Sequence, residues 1–170
     1  MKVYDFEKYL KNPDIVNEKI REFMKNNIIK QSTSKAEITG HINKAENNLN
    51  FVNQIKNTDF TDWAVTGCYY TSYHAALALI ISRGLFSKNH LATLLILIRE
   101  FYDSGLDKED IQYLSTMLDY QDILFYVESK NKREDATYST KISFSKNDVE
   151  ELRVKTILFV SKVKNILKED

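Results

Sequence analysis

The sequence predicts an all-α fold: an antiparallel up-and-down bundle of four to five long helices with an N-terminal helical extension. Three observations predict it. Apolar residues recur three and four positions apart along most of the chain, the spacing of one face of a helix. Turn-forming residues are scarce, with four glycines and one proline in 170 residues, which disfavours an all-β fold. No stretch shows convincing alternation of apolar and polar residues.

The elements follow in order. Residues 3–10 and about 14–30 read as two helical pieces separated at Asn12-Pro13, and Pro suits a first helical turn, where its missing N–H costs nothing. Gln31-Ser32-Thr33 reads as a connector, so residues 1–31 form the extension and 34–170 the bundle domain. Ser34 opens the next helix, with Glu37 three residues on, a capping-box pattern that satisfies two orphan backbone N–H groups. Ile38, Ile42, Ala45, Leu49 and Val52 then make one stripe, ended by Asn57-Thr58-Asp59.

A second long helix spans about Thr61 to Ser82. One face carries Trp63, Gly67, Tyr70, His74, Leu77 and Ile81. Another carries only small side chains, Ala64, Cys68, Thr71, Ala75, Ala78 and Ser82, which lets a neighbouring helix approach closely. Gly84 terminates it. Ser87 is the expected cap of a third helix bearing Leu91, Leu94, Leu95 and Ile98, followed by Gly105. Asp107 opens a fourth, with Ile111, Leu114, Leu118 and Phe125 inward. Residues 129–144 begin polar and irregular. Ser145 with Asp148 marks the last start, and Val149, Leu152, Thr156, Phe159, Val163 and Ile166 line the final helix. Lys164 and Lys168 sit near its negative end, where cations are favoured. Short links between long amphipathic helices imply antiparallel neighbours.

Composition narrows the function. Lys plus Arg equals Asp plus Glu, 24 each, so no global field draws the chain to nucleic acid or acidic membranes. RNA binding must come from a local patch or a dimer groove. The one cysteine, Cys68, cannot form an internal disulfide, which suits a reducing cytoplasm. No Cys/His cluster has metal-ligand spacing, so neither a metal nor a cofactor is expected. The N-terminus is charged and lacks a signal core, and the apolar runs Ala75–Ile81 and Leu94–Ile98 are too short to span a membrane.

Three motifs, in this order, resemble the HEPN family of bacteria and archaea. Asp62-Trp63-Ala64-Val65 leads into Tyr69-Tyr70-Thr71-Ser72-Tyr73-His74-Ala75-Ala76, similar to the family's tyrosine pair on the second helix. Gly84 followed by Ser87-Lys88-Asn89-His90 resembles its glycine, basic residue and histidine before the third helix. Arg133-Glu134-Asp135-Ala136-Thr137-Tyr138 resembles its arginine–alanine–tyrosine signature before the last helix. The resemblance covers about residues 34–168. It implies a four- or five-helix bundle that commonly dimerises. It also implies either a metal-independent ribonuclease, often a toxin paired with a small nucleotidyltransferase-like antitoxin, or a non-catalytic binder of nucleotides or RNA, or a scaffold.

Active members use an arginine and a histidine four to six residues apart. The histidine exchanges protons near neutrality, and the arginine clamps a phosphate. Here Arg133 matches the arginine, while Tyr138 stands in place of the histidine. A tyrosine, with an ordinary pKa of about 10, donates a hydrogen bond but is a poor base at neutral pH. Arg83 and His90, with six residues between them, offer a second match in a different place. Each candidate also has a plain structural reading. His90 can cap a helix and Arg83 can be solvated. Arg133 can pair with Asp135, and the Tyr138 hydroxyl can be satisfied by packing. Lys88, Lys130, Lys132 and Lys141 are a candidate phosphate patch or a solvated face. Tyr70 and His74 can reach a nucleotide or RNA cleft, or pack with Tyr69 and Tyr73. Cys68 lacks a paired base, which argues against a thiol nucleophile.

The expected function is therefore RNA or nucleotide binding by a toxin-like component of a two-gene HEPN/nucleotidyltransferase system, with a cleft around Arg133, Tyr138, Lys88 and His90. The alternatives are an active endoribonuclease using Arg83/His90 or Arg133/Tyr138, and a homodimeric scaffold.

Overall fold

The computed structural model describes residues 6–32, 34–131 and 144–169, with side chains in 6–32, 34–119 and 144–169. Among these residues there are seven helices and two three-residue strands, in the order α1 (Phe6–Lys11), α2 (Pro13–Lys25), β1 (Ile29–Gln31), α3 (Lys35–Ile55), α4 (Thr61–Ser82), β2 (Leu85–Ser87), α5 (His90–Phe101), α6 (Lys108–Asn131) and α7 (Lys146–Glu169). The fold is the all-α antiparallel bundle that the spacing predicts.

Local chemistry sets the helix ends. Ser34 accepts the Glu37 N–H at 3.3 Å, one half of the expected capping box. The Glu37 carboxylate takes the Ser32 hydroxyl at 2.6 Å instead of returning to the cap. The box at α7 is complete: Ser145 Oγ accepts the Asp148 N–H, and the Asp148 carboxylate accepts the Ser145 N–H and hydroxyl. Asp107 and Asp110 cap α6 in the same reciprocal way. The third predicted helix starts later than expected. Asn89, not Ser87, is its cap, with Oδ1 accepting the Ala92 N–H at 2.9 Å.

Ser87 belongs to β2, whose hairpin partner is β1, in antiparallel register Ile29↔Ser87, Lys30↔Phe86 and Gln31↔Leu85. Residues 29–31 were expected to be helix and connector. Three residues are too few to show a two-residue alternation, so the ribbon leaves no sequence period. Gly84 sits at φ 76° where α4 turns into β2, a conformation glycine adopts without steric cost. The ribbon ties the N-terminal segment to the bundle, and Phe6, Val16, Ile20 and Ile29 join the main core.

α4 is the hub. It packs against α3 along its length and meets α5, α6 and α7. α5 is the most enclosed helix: every residue from Ala92 to Ile98 is buried. An all-aliphatic run such as Leu94-Leu95-Ile96-Leu97-Ile98 fits a helix covered on all sides. On the α7 side of α4 lies a hydroxyl network. Tyr113 reaches both Ser72 Oγ (2.6 Å) and Thr156 Oγ1 (2.7 Å), which themselves donate to the Cys68 and Leu152 carbonyls. Burial raises the Tyr113 phenol and the Cys68 thiol above their ordinary pKa values, so both stay protonated. No helix among the described residues is long and apolar enough to cross a membrane.

Candidate functional site

The turn between α4 and α5 carries the motif residues Lys88 and His90 to one candidate site. Antiparallel pairing of β1 with β2 sets Lys30 across from Phe86 and leaves Lys88 just beyond the ribbon. A cavity of about 440 Å³ opens there, lined by Asn27, Ile28, Lys30, Phe86, Lys88 and Asn89. Ser87 braces two of these residues: its hydroxyl donates to the Ile28 carbonyl at 3.0 Å and accepts the Asn89 N–H at 3.1 Å. Lys30 and Lys88 bring two cationic side chains to its lining, and Asn89 there is the N-cap of α5. Lys30 is a contributor the sequence reading missed, because its place depends on the strand pairing.

His90 begins α5 behind this cavity. Its Nε2 lies 2.9 Å from the Tyr69 hydroxyl. Tyr69 is 3% exposed and stacks on Tyr73 with ring centroids 5.7 Å apart, while Tyr73 meets His90 edge-on at 5.2 Å. When the phenol donates, the Nε2 lone pair is occupied. Burial raises the Tyr73 phenol, so it stays neutral and is not a base. Tyr69 and Tyr73 thus take the packing role foreseen for the tyrosine stripe.

The structure does not bring Arg83 to His90. Arg83 caps the C-terminus of α4, and its guanidinium lies 4.9 Å from the centre of the Phe101 ring. Phe101 is the last residue of α5 and His90 the first. Their backbones are about 17 Å apart at the ordinary helix rise. Arg133, Tyr138, Lys132 and Lys141 lie outside the described residues, and Lys130 is in α6 but beyond the described side chains.

A second constellation joins α3 and α4. His74 Nδ1 is 2.9 Å from His41 Nδ1, with ring centroids 5.1 Å apart. That near end-to-end geometry fits one N–H donating to the other ring's lone pair. Burial, His41 and Lys44 push His74 down to about 4, and burial with Lys44 lowers His41. Both rings are neutral at pH 7, as a shared hydrogen bond of this kind requires. His41 had not been singled out, since its partner is 33 residues away. Tyr70 stands one turn from His74, 42% exposed, with its ring edge-on to Tyr69. Among the described residues no three His, Cys, Asp or Glu side chains converge to hold a metal ion.

Comparison with known proteins agrees with this architecture. The HEPN domain model matches residues 38–166, from early α3 to the last turn of α7. The chain is also 29% identical over 134 residues to a protein of Methanocaldococcus jannaschii that bears the name "Putative toxin MJ0142". That match covers 78% of this chain and 83% of the relative.

Proposed function

The chain belongs to the HEPN domain family, and on that premise we propose that it is a toxin-like member that binds RNA or a nucleotide and works with a small nucleotidyltransferase-like partner. In this reading it acts as a homodimer. The cavity beside α5 holds phosphate between Lys30 and Lys88, with His90 behind it. Arg133 supplies a further phosphate clamp, with Lys130, Lys132 and Lys141 as added cations and Tyr138 as a hydrogen-bond donor. The name of the Methanocaldococcus relative supports the toxin-like character.

The observation that carries the reading is the paired-lysine cavity at the start of α5. In a chain with no net charge, a local cationic pocket is what nucleic-acid binding requires. Tyr138 at the expected histidine position favours binding over cleavage, because the phenol is a poor base near neutrality.

The test is fluorescence anisotropy with a labelled structured RNA in EDTA, across a salt series. The wild-type chain binds, and Lys88→Glu or Arg133→Ala weakens binding roughly tenfold and flattens the salt slope by about one phosphate contact. Unchanged binding in both variants refutes the reading. Cleavage of the RNA in the same buffer, lost with Arg133→Ala, replaces it with the ribonuclease reading.

A further inference from the structure

From the cross-helix pair of His41 and His74 we infer a binding site for one divalent transition-metal ion of the nickel or copper class, held by the two Nδ1 atoms and completed by water.

The first observation is the pairing itself. The two Nδ1 atoms stand 2.9 Å apart, and the ring planes are inclined by 32°. A metal about 2.1 Å from each nitrogen spans that gap with an N–metal–N angle of about 90°. That is the angle between neighbouring ligands of a tetragonal ion such as Ni(II) or Cu(II), whereas a tetrahedral zinc ion would hold the nitrogens about 3.4 Å apart. The rings meet nearly end to end about one shared proton. A rotation about χ2, which is a broad torsion in histidine, turns both lone pairs toward a common point beside them.

The second observation is how the pair is supported. The two ligands lie on different helices, which are packed along their length, so neither ring hangs on a loop. Ala45, one turn after His41, is fully buried, and so are Thr71 and Ala75 beside His74. Ligands positioned before the ion arrives spare part of the ordering cost of binding. Both rings are partly exposed, so solvent reaches the pair. Among the described residues no third His, Cys, Asp or Glu joins them, and water fills the remaining positions.

Nearby charges tune the strength. Lys44 acts on both rings and opposes a cation, while Glu37 acts on His41 and favours one. On binding, the ring that holds the shared proton at Nδ1 gives it up and carries one at Nε2 instead, so no net proton is released. The site is hidden in the sequence because 33 residues separate its ligands.

Isothermal titration of the full chain with Ni(II) or Cu(II) tests this, with electron paramagnetic resonance of the Cu(II) form and circular dichroism to check folding. One ion binds per chain, and the Cu(II) spectrum carries hyperfine splitting from two nitrogens. His41→Gln and His74→Gln each weaken binding roughly tenfold or more, since losing a ligand costs at least as much as losing its support. Lys44→Glu tightens binding by exchanging a repelling charge for an attracting one. Ni(II) raises the urea midpoint of the wild-type chain and leaves that of both histidine variants where it was. A wild-type chain that takes up no ion, or an ion that survives both histidine substitutions, overturns the proposal. Splitting from a single nitrogen overturns it too, and that readout needs no variant to fold. The RNA titration runs in EDTA, so failure here leaves the binding reading intact, and the reverse holds.

Discussion

The two sides of α4 were built from the same helical period, yet they do opposite things. Toward α7, Ala64, Cys68, Thr71, Ala75 and Ala78 are completely buried, and Tyr113, Thr156 and Ser72 join their hydroxyls across the seam. Toward α3, the larger residues Trp63 and Tyr70 remain in solvent and only Gly67 is buried between them. Small residues let the neighbouring backbone close in and seal the first side. On the second side, glycine gives that close approach at one point and the aromatics overhang it. Periodicity identifies a face that is apolar. It does not say whether that face is covered within the chain.

The difference is largest when equivalent aromatics are removed from each side. Phe159 on α7 is 1% exposed and packs on Tyr113, whereas Trp63 is 62% exposed. Phe159→Ala should cost about 3–5 kcal/mol, the usual loss for emptying a buried aromatic site. Trp63→Ala should cost under about 1 kcal/mol in a monomer, because little of its surface is buried. Urea denaturation at low protein concentration, where association does not contribute, measures both. Equal losses would mean that the two faces are equally part of the core.

Gly67→Ala is the next effect in size. Alanine gains up to about 1 kcal/mol in helix propensity over glycine. Its methyl, however, would sit 2.5 Å from Val52 Cγ2, and Val52 is fully buried and stiff at χ1 in a helix. Relief requires α3 to move outward, and overpacking of this kind costs about 1–3 kcal/mol. The net expectation is a destabilisation of roughly 1 kcal/mol, read as a lower urea midpoint with unchanged m-value. A neutral or stabilised variant would show that α3 is loosely seated on α4.

Much of this could be read from the sequence, and the exceptions have physical causes. The caps at Ser145 and Asp107, the terminator at Gly84 and the buried stripe from Val149 to Ile166 follow local rules, so spacing alone located them. The β1–β2 ribbon did not follow, because its stability comes from pairing across more than fifty residues and its strands are too short for a period. The site divides the same way. Lys88 and His90 are two positions apart in sequence and visible as a motif. Lys30 and His41 reach their places only through tertiary contacts, with β2 and with His74. The Glu37 carboxylate likewise chose Ser32 over the cap position that the pattern suggested.

The smallest expected effect is a pH dependence at the open side, and its sign follows from the His41–His74 contact. Each ring has its pKa lowered in the folded chain, His74 to about 4, against about 6.5 when unfolded. The unfolded chain therefore binds more protons than the folded chain between these values. Stability rises with pH wherever that is so. The contribution is fully present above about pH 6.5 and is lost as pH falls toward 4, where Lys44 adds repulsion to any proton gained. Both rings are partly solvated, which screens the effect and keeps it modest. The urea midpoint should fall from pH 7 to pH 5, and His74→Gln should flatten that slope by removing one of the two titrating rings. The hydroxyl seam on the closed side has no group that titrates in this range, since Tyr113 and Cys68 are both raised above it. Tyr113→Phe should therefore leave the slope as it is. If Tyr113→Phe changed the slope and His74→Gln did not, the titrating element would lie on the sealed face of α4 and not on the open one.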